Sequence, residues 1–236
     1  MTTTFTAKEV KRLRRNAAKV SEPPQDGPNG WSKSTVDPMR VLGVFKPLRL
    51  KDGYTLRAYQ FRHDGNGNGV VWAMPLDADF PEPEACPRLE NDFLEPPKPP
   101  AALDDVMDAV EGDGTPWSYL CSSILARELG EFGASWHGCE WSTHEVLGEA
   151  PWRKPRSLND HRSISGKSAW QWQAAKPRQW NPLVSKGSKV LKVTFITYSG
   201  IGQETIYRHI DTYKSGTYRF KSVKKAIATG PGGYVF

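Results

Sequence analysis

Two stretches of alternating side chains constrain most strongly how this chain of 236 residues folds. In residues 54–62 (YTLRAYQFR), aromatic or aliphatic side chains alternate with polar ones, the period of a strand buried on one face. The loop DGNGNG (64–69) and the apolar run 70–74 follow. Asp-Gly and Asn-Gly tolerate the positive φ of hairpin turns, so the sequence predicts a β-hairpin here. Just before it, residues 41–45 (VLGVF) also read as a strand.

The last fifty residues carry the second alternating stretch. Residues 190–198 (VLKVTFITY) alternate apolar with polar, and residues 204–213 can return as a second strand after the GIGQ turn. Between the two β-rich regions, Thr115 and Pro116 start a helix whose apolar face extends over residues 117–132. We therefore expect an α+β protein in which the N-terminal hairpin and the C-terminal strands form mainly antiparallel sheet, packed by this central helix.

The ends and the middle of the chain differ in composition. Residues 1–38 combine a basic helix-forming stretch, with Thr6 and Glu9 as a capping pair, and a turn-rich stretch. Residues 75–100 hold eight prolines and many carboxylates, which favours an extended connector. The predicted organisation is a basic N-terminal arm with an irregular segment at 1–38, followed by a single α+β domain at 39–236 that contains the acidic connector.

Charged residues are sorted along the chain. Residues 76–150 carry 17 Asp/Glu and 3 Lys/Arg, whereas residues 151–236 carry 16 Lys/Arg and 3 Asp/Glu. Such asymmetry indicates either a surface that binds polyanions or an internal pairing of opposite charges. The sequence leaves open whether the basic third faces solvent or the acidic middle.

Composition excludes several classes of protein. The basic N-terminus has no apolar run behind it, unlike a secretory signal of the usual form. No stretch approaches the roughly 18–20 apolar residues that span a bilayer. Three cysteines without CxxC spacing do not suit a disulfide scaffold. We expect a cytoplasmic protein with no membrane partner.

Tryptophans and cations are interleaved in residues 152–182. Cations neutralise phosphates and indoles stack on bases, so this segment suits single-stranded DNA or RNA. The predicted nucleic-acid-binding residues are Arg153, Lys154, Arg156, Arg162, Lys167, Trp170, Trp172 and Arg178. Trp170 and Trp172 would form a stacking platform if their segment were a strand. The final strands add further cations, namely Lys186, Lys189, Lys192, Arg208, Lys214, Arg219, Lys221, Lys224 and Lys225.

A thiol nucleophile is a different possibility. Cys121 lies in the first turns of the predicted helix, where the helix dipole lowers the pKa of a thiol. His137, His144 or His161 follows it in the chain order of papain-like hydrolases. However, Cys121 also lies on the apolar stripe of its helix, a position typical of an inert core cysteine.

A metal site is the third possibility. His137, Cys139 and His144 supply the nitrogen and sulfur donors that zinc prefers, and Cys121 or His161 would be a fourth ligand. Their spacing matches no familiar zinc motif, and the sequence identifies no cofactor.

The leading interpretation is a nucleic-acid-binding or accessory protein that uses its basic, Trp-rich C-terminal third. One alternative is a Cys/His hydrolase or metalloenzyme centred on residues 121–161. The other is a structural subunit of a homo-oligomeric assembly whose copies pair through opposite charges.

Overall fold

A computed structural model describes residues 1–22, 27–90, 94–153 and 169–235 of the chain. The described residues form three α-helices and twelve β-strands, so the predicted α+β class is confirmed. None of the helices in these ranges is both long enough and apolar enough to cross a membrane.

The chain divides into two compact units. Unit 1 comprises Met1–Arg12, Ser142–Gly216 and Phe220–Phe236, and unit 2 comprises Leu13–Trp141 and Thr217–Arg219. By sequence, unit 1 holds 18 Lys/Arg and 6 Asp/Glu, whereas unit 2 holds 14 Lys/Arg and 20 Asp/Glu. The charge sorting along the chain therefore becomes a difference between a basic and an acidic unit. The division of the chain at residue 38 into an arm and a domain stays a prediction.

Seven strands of unit 1 form one antiparallel sheet, here called sheet A. Its order is β1-β9-β10-β11-β12-β8, and β7 also pairs with β10. The alternating stretch at residues 190–198 and the returning strand predicted at 204–213 are its two central strands, β10 and β11. The members are β1 (Thr2–Thr4), β7 (Glu145–Val146), β8 (Gln171–Trp172), β9 (Leu183–Lys186), β10 (Val190–Ser199), β11 (Thr205–Lys214) and β12 (Phe220–Thr229).

The predicted hairpin lies in unit 2, in a sheet separate from the C-terminal strands. It consists of β4 (Tyr54–His63) and β5 (Asn66–Pro75), and β2 (Gly30–Lys33) pairs with β4. The turn contains only Asp64 and Gly65, both at positive φ, so the rest of the predicted loop belongs to β5. A third, two-stranded sheet pairs β3 (Leu48–Leu50) with β6 (Val110–Gly112).

The helices begin at side-chain caps. In α1 (Ala7–Ser21), Thr6 and Glu9 form the predicted capping box: Glu9 N donates to Thr6 Oγ1 and Thr6 N donates to Glu9 Oε2. The central helix α3 (Pro116–Gly130) starts as predicted, and Ser118 N donates to Thr115 Oγ1 at 3.2 Å. Its core face is buried at Leu120, Ile124 and Leu125.

One strand prediction is wrong. The apolar run at residues 41–45 lies in helix α2 (Pro38–Val44) and its C-cap rather than in a strand. The helix starts because the Asp37 carboxylate accepts from Met39 N at 2.9 Å and Pro38 occupies the first turn, where a proline needs no amide proton.

Candidate nucleic-acid interface

One face of sheet A is buried. Side chains at alternate positions of a strand point to opposite faces, and the positions that are buried identify the inner one. On this inner face lie Leu191, Val193, Phe195 and Thr197 of β10, with Tyr213, Asp211 and His209 beside them on β11.

The opposite face of the sheet is open over five strands. The strand registers align two cross-strand rows on it, and none of their residues is buried. The first row is Thr2, Ser185, Lys192, Thr212 and Lys221, and the second is Thr4, Leu183, Thr194, Ile210 and Val223. We call these ten residues, together with the neighbouring pair Arg208 and Lys225, the open face. At about 4.8 Å per strand it spans roughly 19 Å.

The open face is positively charged. It carries four cations, contains no Asp or Glu, and supplies hydroxyl groups from four threonines and a serine. Within the described parts of the chain, Lys192, Lys221 and Lys225 form no ion pair. Arg208 donates from Nη2 to the Ala175 carbonyl at 3.2 Å. Cations without carboxylate partners create a field that attracts and binds phosphate groups.

A tryptophan cluster covers the far end of the same face. Trp170 packs with Ile196, Ile206 and other apolar residues, and its exposed fraction is 6%. The Trp152 ring lies between three others, with centroids 6.0 Å from Trp170, 5.9 Å from Trp172 and 6.0 Å from Trp180. The expected Trp170–Trp172 platform is therefore not formed as predicted, since Trp170 is a core residue, whereas Trp172 and Trp180 remain partly exposed.

The other residues predicted to bind nucleic acid fall into two groups. Arg178 is exposed. Four predicted cations lie outside the described residues: Lys154, Arg156, Arg162 and Lys167. The candidate catalytic residue His161 and the side chain of Arg153 lie outside them as well.

His144, a candidate for catalysis and for metal binding, lies in the core of unit 1. Its Nδ1 is 2.8 Å from Thr197 Oγ1, which is 2.9 Å from His209 Nε2. All three side chains are at most 4% exposed. The two imidazoles therefore share one buried hydroxyl, which has a single proton to donate. These contacts link the residue before β7 to β10 and β11.

Cys121, the candidate nucleophile, is fully buried in unit 2. Burial, with a smaller effect of the Asp113 carboxylate, raises the pKa of its thiol to about 12. The expected lowering of the pKa by the helix dipole is thus wrong in direction, because loss of hydration outweighs the dipole. Only the thiolate is nucleophilic, so this geometry does not favour a catalytic Cys121.

The predicted metal ligands are not brought together in one unit. His137, which is exposed, and Cys139, which is partly buried, belong to unit 2, whereas His144 belongs to unit 1. In the ranges that the structure describes, no group of three or more His, Cys, Asp or Glu is arranged to hold a metal ion.

We expect thiol reagents to distinguish the three cysteines. At about pH 8, iodoacetamide should modify the partly buried Cys139 and leave Cys86 and Cys121 intact, because both are buried and Cys121 stays protonated. Peptide mass mapping of native and denatured protein measures this. Fast modification of Cys121 in the native protein would contradict the burial seen here.

Sequence reasoning found the cations of the open face but missed the hydroxyl and apolar residues between them. The signal was the outward half of the alternating pattern in β10 and β11, for example Thr194 and Thr212.

No protein-family model, no curated protein and no solved structure matches this chain.

Proposed function

We propose that this protein binds nucleic acid through the open face of sheet A, as a non-catalytic, cytoplasmic binding or accessory protein. The observation that supports it is a five-stranded sheet surface with four cations and no carboxylate. An apolar sheet face would instead suggest a protein partner, and a mixed-charge face would suggest ordinary solvated surface.

The chemistry of the open face suits a phosphate backbone. Lysine and arginine release condensed counterions when they neutralise phosphates, and this release supplies most of the sequence-independent affinity. Threonine and serine hydroxyls donate to phosphate oxygens and orient the ligand. Within the first row, Lys192 and Lys221 lie on either side of Thr212. A phosphate crossing this row would meet cations on both sides and a donor in the centre.

Internal charge pairing accounts for a different cation. Arg219 donates to Asp108 at 2.8 Å and lies 3.0 Å from the Asp105 carboxylate, so this member of the basic third does pair with the acidic middle. Arg219 and the two carboxylates all belong to unit 2. The lysines of the open face show no such pairing among the described residues, which is why we propose an external polyanion for them.

Salt dependence of binding tests the proposal. Fluorescence anisotropy with labelled single-stranded and duplex oligonucleotides should show binding that weakens as salt rises from about 50 to 200 mM. If all four cations contact phosphates, the slope of log K against log salt should be about −3 for single strands. Absence of binding at the lowest salt, or an affinity that salt does not change, would refute the proposal.

A further inference from the structure

We infer that the open face takes a single strand rather than a duplex, and that Trp172 stacks on one of its bases; this inference rests on the proposed function. The site is the border between the open face and the tryptophan cluster.

A partly exposed aromatic side chain lies at this border. Trp172 of β8 pairs with Ala228 of β12, and Ala228 pairs in turn with Ile206 of β11. Ile206 and Arg208 are two residues apart and therefore lie on the same face of β11. Trp172 is only partly buried, although Trp152 packs against it. An indole at the edge of a covered cluster keeps part of its surface free for a ligand.

One cation lies over this indole, and two others lie on the neighbouring strands. Lys176 Nζ is 5.4 Å from the centroid of the Trp172 ring, and Arg208 reaches the Ala175 carbonyl from the open face. Lys225 is the cross-strand neighbour of Arg208. An aromatic ring beside a track of cations is the arrangement by which proteins hold unpaired bases and their phosphates.

The dimensions of the open face disfavour a duplex. The major groove of B-DNA is about 12 Å wide and admits a helix or a two-stranded ribbon. The open face spans roughly 19 Å over five strands, so it cannot enter the groove and would contact only the duplex backbone. A single strand offers both phosphates and the faces of its bases, and stacking on them tolerates any sequence.

Matched oligonucleotides test the inference on the unaltered protein. At equal salt, a twelve-nucleotide thymidine or uridine strand should bind about tenfold more tightly than a duplex of the same length. An abasic strand with the same number of phosphates should bind about tenfold more weakly than the strand that carries bases. Equal affinity for all three ligands would overturn the inference and leave the proposed function standing, whereas no binding to any of them would overturn both.

Variants then test the role of Trp172. Trp172→Leu should weaken single-strand binding about tenfold and leave duplex binding and the salt slope unchanged, and Trp172→Phe should restore most of the affinity. Trp136, which is 65% exposed and belongs to unit 2, is the matched control, and Trp136→Leu should change nothing. Equal weakening by Trp172→Leu and Trp136→Leu, or full affinity of Trp172→Leu, would overturn the assignment of Trp172. If Trp172→Leu fails to fold, the abasic strand gives the decisive result.

Discussion

Replacing Lys192, Lys221 and Lys225 together with glutamate should lower the affinity for nucleic acid about 100-fold or more near physiological salt. In the proposed complex, each change removes a phosphate contact and adds a charge that repels phosphate, so three neighbouring changes act on one ligand. The side chains are exposed and form no ion pair with other described residues, so the variant should keep its fold. Anisotropy titrations measure the affinity, and circular dichroism and the Tm measure the fold.

A control with the same change in net charge distinguishes binding at the open face from the general attraction of a basic protein for nucleic acid. Arg40, Lys46 and Arg57 are exposed cations of unit 2. Their replacement by glutamate should change the affinity less than about threefold, because these cations are not part of the open face and contribute only a general attraction that salt screens. If both triple variants weakened binding equally, the open face would not be the binding site.

Gly69→Ala should be among the most destabilising single changes in unit 2. A Cβ at Gly69 would lie 2.3 Å from the backbone carbonyl oxygen of Phe132 and 3.2 Å from the Phe132 ring. Strand β5 approaches this backbone closely, as the bridge between Gly67 and Ser135 also shows. Because a backbone carbonyl cannot rotate aside as a side chain can, we expect a loss of about 3 kcal/mol in the free energy of unfolding.

Urea denaturation measures this loss, with Gly130→Ala as the matched control. Gly130 is the last residue of α3, and a Cβ there would meet nothing within 4 Å. Fixing alanine in a helix costs less conformational entropy than fixing glycine. The free energy of unfolding of this variant should therefore rise by about 0.5–1 kcal/mol. A Gly69→Ala protein as stable as the unaltered one would contradict the close approach of β5 to Phe132.

Local signals in the sequence predicted several elements because the physics that forms them is local. Thr115 caps α3, and Asp64 and Gly65 form the hairpin turn, each within a few residues of the element it starts or closes. The same rule explains the error at residues 41–45. There the Asp37 cap and Pro38 signalled a helix, and a short apolar run alone does not distinguish a strand from a buried helix.

Glycines and tryptophans were harder to interpret because one residue type serves several purposes. The DGNGNG sequence suggested a long turn, yet Gly67 and Gly69 lie in β5, where an added Cβ would meet the 132–135 segment. A tryptophan suits a core or a stacking surface equally well, and only packing distinguishes the buried Trp170 from the partly exposed Trp172.

The sequence by itself determined which side chains of a strand share a face and how charge is distributed, because the two-residue period of a strand and the identity of each residue are local properties. It therefore predicted the α+β class, the alternation of β10 with β11 as its returning strand, and a basic C-terminal third. Only the tertiary structure decided which strands are neighbours. Pairing of β1 with β9 and of β9 with β10 brings Thr2, Ser185 and Lys192 into one row. Periodicity sets the direction of a side chain but not its neighbours on other strands, so the open face appears only when strands distant in sequence pair.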